Sequence, residues 1–61
     1  MMNLKELVFF RTNTEFEAYQ SMTEGYTEEE KEQQRQRFTS LYQIIEEAEL
    51  EDEYLAWKES L

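Results

Sequence analysis

The spacing of hydrophobic residues indicates helices along most of the chain. From Phe38 onward, apolar residues recur at intervals of three and four, as on one face of an α-helix. They are Phe38, Leu41, Tyr42, Ile45 and Ala48, with Ile44 at the edge. Residues 28–37, directly before this stripe, are all charged or amide-bearing. Because Thr27 and Glu30 have the spacing of a capping box, the pattern predicts one long helix over residues 28–49 whose first half is solvated.

The beginning of the chain carries a second helix signal. Asn3 and Glu6 resemble a helix N-cap with its reciprocal glutamate, and apolar residues follow at i, i+3 and i+4, namely Leu4, Leu7 and Val8. The spacing predicts a helix over residues 4–11. The apolar run from residue 7 to residue 10 could also form a buried strand, but we favour a helix because the chain has no second strand-like run to pair with it.

Residues 12–14 interrupt this pattern. Thr and Asn compete for hydrogen bonds with their own backbone, and Thr14 with Glu17 repeats the capping signature. The pattern therefore predicts a separate second helix over residues 15–23, with Phe16, Tyr19 and Met22 on one side. A continuous helix over residues 4–23 is the alternative, since these residues lower helix stability by only a few tenths of a kcal/mol each.

The apolar face changes side near residues 49–52. At about 100° per residue, the later apolar residues fall nearly opposite the earlier stripe; they are Leu50, Tyr54, Trp57 and Leu61. We favour a break there, with Asp52 near the start of a short helix over residues 52–60 that folds back to bury Tyr54, Trp57 and Leu61. The alternative is a single helix over residues 28–61 that presents these side chains to a second chain.

These elements predict a small all-α fold. We expect residues 1–61 to form a single domain, a three- or four-helix bundle or helical hairpin with one long central helix. A chain of this size buries only about 60% of its unfolded surface. It contains no Cys and no His, so it has neither disulfides nor the usual zinc ligands. Self-association into a homo-oligomer is the remaining means of stabilisation.

The charge is strongly acidic and unevenly placed. The chain has 15 acidic and 6 basic residues, a formal net charge of −9, and residues 46–61 contain seven of the acidic residues and one of the basic ones. Direct nucleic-acid binding is therefore disfavoured because it needs clustered Lys and Arg, and anionic membranes are disfavoured for the same reason. The sequence shows no membrane-spanning apolar run and no signal peptide, so we expect a cytoplasmic protein.

The composition also argues against catalysis and metal binding. Without His and Cys the chain lacks the usual general base and the most reactive nucleophile, and it is too short to enclose a substrate cleft. We predict no catalytic residue, no cofactor and no metal. The densest acidic run is Glu51-Asp52-Glu53, but it has neither the alternating ligands nor the central Gly of a calcium-binding loop.

The aromatic residues divide into two groups. Five are expected to form the core because the chain has few other large apolar groups: Phe9, Phe10, Phe16, Phe38 and Trp57. Tyr26 follows Gly25, the only glycine, in a turn flanked by acidic residues. We expect it to be partly exposed, as a contact for a partner or as a hydrophobic staple of the following helix.

The acidic segment is the main functional candidate. Glu46, Glu49 and Glu53 fall on one helical face at i, i+3 and i+7, with Glu47 and Glu51 beside them, and are expected to form a rigid array of negative charge. We expect a non-enzymatic interaction or regulatory module, of the type common in phages and mobile elements, that docks on a basic protein partner. The candidate binding residues are Glu46, Glu47, Glu49, Glu51, Asp52, Glu53, Tyr54, Trp57 and Tyr26.

Two alternatives remain open. In the first, helix-mounted carboxylates replace DNA phosphates, and the protein is a DNA-mimic inhibitor of a nucleic-acid-binding protein; the charge density of duplex DNA, about one charge per 1.7 Å, is reached only locally here. In the second, the protein is a structural homo-oligomer, and its acidity only confers solubility.

Overall fold

The computed structural model describes residues 2–61, which form three helices and no strand. Helix α1 spans Leu4–Gln20, α2 spans Glu28–Glu47 and α3 spans Glu51–Glu59. The prediction of a small all-α fold with a long central helix is confirmed. None of the three helices combines the length and the apolar character that crossing a membrane would need.

Helix α1 is continuous, so the predicted break at residues 12–14 and the separate helices over residues 4–11 and 15–23 are wrong. The hydroxyl of Thr12 donates to the Val8 carbonyl at 2.7 Å, and that of Thr14 donates to the Phe10 carbonyl at 2.9 Å. Both threonines thus bond within the helix instead of capping a new one. Since Thr12 is fully buried, packing offsets the small loss of helix propensity.

The start of α1 is as predicted. The Asn3 side chain accepts a hydrogen bond from the Glu6 backbone N–H at 2.8 Å, which satisfies one of the free donors of the first turn. Residues 7–10 are helical rather than extended. The helix ends at Gln20, three residues before the predicted end at residue 23.

The start of α2 is also as predicted. The Thr27 hydroxyl accepts from the Glu30 N–H at 3.1 Å, and the Glu30 carboxylate accepts from the Thr27 N–H at 3.1 Å, which completes a capping box. Further along the helix, Arg35 binds Glu32 through its Nε at 2.9 Å. This hydrogen bond lowers the pKa of the Glu32 carboxyl and raises the pKa of the Arg35 guanidinium. Both side chains are exposed, so the pair adds little stability.

The chain breaks after α2 in a left-handed turn. Glu49 has a φ of 57°, its N–H donates to the Glu46 carbonyl at 3.0 Å, and the Leu50 N–H donates to the Ile45 carbonyl at 2.9 Å. These are the two bonds of a Schellman motif. Leu50 also packs against the core that contains Ile45. The break favoured from the sequence is confirmed and a single helix over residues 28–61 is ruled out, although α2 ends two residues early and α3 begins at Glu51.

Glu49 occupies a position that glycine usually fills. A residue with a Cβ in the left-handed region is disfavoured by about 1–2 kcal/mol. We expect Glu49→Gly to raise the free energy of unfolding by about 0.5–1 kcal/mol in urea denaturation. The control is Glu46→Gly in the last turn of α2, which should lower it by about 1 kcal/mol. Equal destabilisation by both changes would contradict the left-handed conformation of residue 49.

The core takes one buried residue from each helix. Phe9 of α1 is 2% exposed, Ile45 of α2 is 0% exposed and Tyr54 of α3 is 2% exposed. The Tyr54 ring lies 5.4 Å from the Phe9 ring and 5.9 Å from the Tyr42 ring between centroids, at tilted or edge-on angles that aromatic pairs prefer. The half-buried side chains packed against this cluster are Val8, Tyr42, Leu50 and Trp57.

Several large apolar residues lie at the surface, including Phe10 and Leu61, which were expected to be buried. Leu4 is 77% exposed, Leu7 is 47% exposed and Phe10 is 46% exposed. Apolar and charged residues are mixed around the first two turns of α1, so the pattern there does not identify the buried side, which passes through Phe9, Thr12 and Asn13. Leu61 is also exposed because it lies beyond the end of α3.

The polar half of α2 is not wholly solvated, contrary to expectation. Gln34 is buried, and its side-chain amide donates to the Glu15 carbonyl at 2.9 Å and to the Glu15 carboxylate at 2.6 Å. Because α1 continues to Gln20, it runs alongside this part of α2. The pair joins the two helices near their connecting turn, where the Phe16 and Phe38 rings also meet at 4.8 Å.

Helices α1 and α2 therefore form an antiparallel hairpin, and α3 packs along one side of it. The Lys5 ammonium binds the Glu53 carboxylate at 2.9 Å. The Lys58 ammonium lies 4.1 Å from the centre of the Phe16 ring, a cation–π contact. These two contacts, made at successive points along both helices, show that α3 runs in the same direction as α1.

Candidate protein-binding surface

The acidic residues predicted to bind a partner gather around the turn between α2 and α3. Six of the eight residues from 46 to 53 are acidic, and all six are exposed. We call this set the acidic corner: Glu46, Glu47, Glu49, Glu51, Asp52 and Glu53. The expected array on one helical face is wrong because the chain turns at Glu49, so the carboxylates lie on two helix ends and the turn between them.

The two sides of the acidic corner differ in their electrostatics. Glu51, Asp52 and Glu53 lie in the first turn of α3, where carboxylates interact favourably with the helix dipole. Glu46 and Glu47 lie in the last turn of α2, which contains no basic residue, so the dipole disfavours their charge there. The acidic corner thus carries carboxylates that helix stability does not require.

Little within the described chain neutralises the acidic corner. Its one ion pair among residues 2–61 joins Glu53 to Lys5, and the Glu47 carboxylate accepts a hydrogen bond from the Gln43 amide at 3.3 Å. Among the same residues, no group of three or more acidic side chains converges to hold a metal ion. Because all six acidic residues are exposed and only one forms an ion pair within residues 2–61, the acidic corner has a strong local negative field.

The three aromatic candidates lie in three different environments. Tyr54 belongs to the core, so it cannot serve as a surface anchor. Trp57 is half-buried with its ring 5.8 Å from the Phe9 ring, so the break in the chain brings it to the core. Tyr26 is 44% exposed in the turn before α2. The 20 residues of α2, about 30 Å of helix, separate Tyr26 from the acidic corner, so the two do not form one patch.

The hydroxyl of Tyr54 is buried and has no hydrogen-bond partner within residues 2–61. Burial raises the pKa of Tyr54, and Tyr42 and Glu17 raise it further. Because the pKa of Tyr54 is higher in the folded than in the unfolded chain, ionisation of this residue does not reduce the free energy of unfolding below the ordinary tyrosine pKa of about 10. Above that pH the free energy of unfolding decreases until the folded-state pKa is reached, because Tyr54 ionises first in the unfolded chain.

We expect Tyr54→Phe to raise the free energy of unfolding at neutral pH by about 1 kcal/mol, because it removes a buried hydroxyl without a protein partner. The variant should also lose less stability than the wild type between neutral pH and pH values above about 10. Urea denaturation across this pH range measures both effects. Tyr26→Phe is the matched control, and an equal gain there would contradict the argument from burial.

An apolar groove, not recognised from the sequence, lies next to the acidic corner. Its volume is about 230 Å³ and its accessible wall is apolar. We call it the end groove; its lining residues are Leu4, Lys5, Val8, Ile44, Ile45, Ala48 and Leu50. Ala48 and Leu50 flank Glu49 in the chain, so the groove and the acidic corner share one end of the hairpin. The sequence placed Leu4 and Ala48 on the apolar faces of two separate helices, and nothing in the two patterns indicated that these residues line one groove.

The chain has no match when it is compared with known protein families, with curated proteins or with solved structures.

Proposed function

We propose that this protein is a non-catalytic interaction module that binds a basic surface of a partner protein through the acidic corner. The observation that carries the proposal is the gathering of six exposed carboxylates at one turn, with a single ion pair to the rest of residues 2–61. Complementary charges of this kind accelerate association and select among partners. A regulatory role in the cytoplasm, of the phage or mobile-element type, belongs to the same proposal and is supported by the size and acidity of the chain.

The proposal predicts binding that depends on these charges and on salt. A pull-down from native cells supplies the basic partner, and titrations at salt concentrations from about 0.05 to 0.3 M give the affinity, since screening lengths shorten over this range. We expect the double change Glu51→Gln with Asp52→Asn to weaken binding about tenfold at low salt and to reduce its salt dependence. An affinity that does not change with ionic strength would contradict the electrostatic proposal.

A matched control separates the acidic corner from the overall charge. Glu28 and Glu29 lie in the first turn of α2 as Glu51 and Asp52 lie in the first turn of α3. The double change Glu28→Gln with Glu29→Gln removes the same charge from an equivalent helix position at the other end of the hairpin. We expect it to alter the affinity by less than about twofold, because exposed charges beyond a Debye length of about 10 Å are largely screened.

DNA mimicry is a second candidate, favoured by the density of carboxylates between residues 46 and 53. In this case the basic partner is a nucleic-acid-binding protein, and the acidic corner occupies its DNA site. Displacement of a labelled duplex from the partner would support this mechanism. A ternary complex in which DNA remains bound would exclude it and leave binding at another basic surface.

A further inference from the structure

The end groove lies on the side of the hairpin that α3 leaves open. Phe9 of α1 and Tyr42 of α2 contact Tyr54 of α3. At about 100° per residue, Leu4 is turned about 140° away from Phe9, and Ile44 about 160° away from Tyr42. The rim residues Leu4 and Ile44 therefore face away from α3, and both are exposed. The groove floor is shared with the core, because Ile45 packs in the same cluster as Tyr54.

The exposure of its rim makes the end groove a candidate docking surface. Ile44 is 51% exposed and Leu4 is 77% exposed. Neighbouring Leu7 is 47% exposed and adds further apolar surface beside Leu4. Lys5 lines the groove with its aliphatic stem, because its ammonium is held by Glu53.

The size of the groove indicates the kind of occupant. Its volume of about 230 Å³ is below the range of about 300–1,000 Å³ that is usual for small-molecule sites. It suits a few apolar side chains of a larger partner. A groove between two antiparallel helices also matches the packing of a further helix, whose apolar residues one turn apart would enter it.

The negative charge of the acidic corner beside the groove indicates that the partner is basic. We propose that the end groove binds the apolar face of a basic amphipathic helix, whose flanking Lys and Arg side chains contact the acidic corner. This inference rests on the proposed function and names the partner segment. A second copy of the chain fits poorly, because it would bring another net charge of −9 and a second acidic corner to the same place, and like charges across an interface are unfavourable.

The test uses two synthetic peptides of identical composition. The first contains Leu at i, i+3, i+4 and i+7 with Lys elsewhere, which forms one apolar face on a helix; the second contains the same residues in scrambled order. In NMR titrations we expect the first peptide to shift the backbone amides of Leu4, Val8, Ile44, Ala48 and Leu50. It should bind about tenfold more tightly than the scrambled peptide near 0.15 M salt, where exposed charges are screened.

A matched pair of protein variants locates the contact. Ile44 lines the end groove, and Leu55 of α3 is an equally exposed apolar residue outside it, each 51% exposed. We expect Ile44→Ser to weaken binding of the patterned peptide about tenfold, and Leu55→Ser to change it by less than about twofold. Circular dichroism establishes that each variant is folded. If Ile44→Ser is not, Ile44→Ala provides the same comparison with a good helix former.

The outcomes separate this inference from the proposed function. If Ile44→Ser binds like the wild type while the Glu51→Gln, Asp52→Asn double variant binds more weakly, the groove inference is overturned and the acidic corner keeps its role. If only Ile44→Ser weakens binding, the requirement for a basic partner fails, and both proposals fall. Sedimentation equilibrium that shows a wild-type dimer dissociated by Ile44→Ser would mean that a second copy covers the groove, which also overturns the inference.

Discussion

Replacing Phe9 with Ala should lower the free energy of unfolding by about 3–5 kcal/mol, the usual cost of truncating a buried Phe. The Phe9 ring is 2% exposed and lies 5.4 Å from the Tyr54 ring and 5.8 Å from the Trp57 ring between centroids. These contacts join α1 to α3, so the cavity would open between two helices. A chain of 61 residues has a total stability of about 3–9 kcal/mol, and Phe9→Ala should leave a large fraction of it unfolded.

The neighbouring residue provides a control with the same side chain. Phe10 lies in the same helix but is 46% exposed, so Phe10→Ala should change the free energy of unfolding by less than about 1 kcal/mol. Thermal and urea unfolding followed by circular dichroism compare the two variants. If Phe10→Ala proved the more harmful, the side of α1 that faces the core would have been assigned wrongly.

The second large effect is expected for Ile45→Ala, at about 2–5 kcal/mol. Ile45 has no exposed surface and belongs to the same cluster as Phe9 and Tyr54. It also packs near Leu50, whose N–H closes the turn after α2 by binding the Ile45 carbonyl. Truncation therefore removes core contacts and weakens the apolar contact that accompanies the Schellman motif.

Ile44 is the control for this substitution. It is 51% exposed and immediately precedes Ile45 in α2. Ile44→Ala should be nearly neutral, within about 0.5 kcal/mol, because the loss of partial burial is offset by the higher helix propensity of Ala. The difference between the two variants in urea denaturation measures burial alone. Equal losses would show that the face of Ile44 is covered in the free protein.

The sequence predicted α2 well because its signals are local and agree with one another. The Thr27 and Glu30 capping box sets its start, and the stripe around Ile45 sets the face that meets α1 and α3. The phase change after this stripe indicated the break before α3. Each of these features depends on residues within two or three turns, where helical periodicity is informative.

Helix α1 could not be predicted in the same way because its buried side is decided by tertiary packing. Thr12 and Thr14 carry the signature of a boundary, yet both bond within the helix. The buried Gln34 of α2 donates to Glu15 of α1, a contact that sequence spacing does not reveal. A stripe through Phe9, Thr12, Asn13 and Phe16 appears only if the helix is assumed to continue. Local propensity was overridden by contacts between helices.

The acidic residues of the candidate site could be predicted from the sequence, but their three-dimensional arrangement could not. The concentration of acidic residues between 46 and 53 is visible in the sequence, and their exposure follows from their charge. The turn at Glu49 was not evident, because the left-handed position of a Schellman motif is usually Gly. The end groove depends on which side of the hairpin α3 occupies, a choice that the periodicity of α1 and α2 alone does not determine.

The position of Trp57 gives the protein an optical reporter of one helix. Trp57 is the only tryptophan, it lies on α3, and its ring is 5.8 Å from Phe9 and 6.1 Å from Tyr54. Helix α3 has nine residues, too few to be stable alone in water. The emission of Trp57 should therefore follow the detachment of α3, whereas the far-ultraviolet dichroism is dominated by the hairpin. Superimposed melting curves would show that the three helices unfold together, and an earlier fluorescence change would show that α3 leaves first.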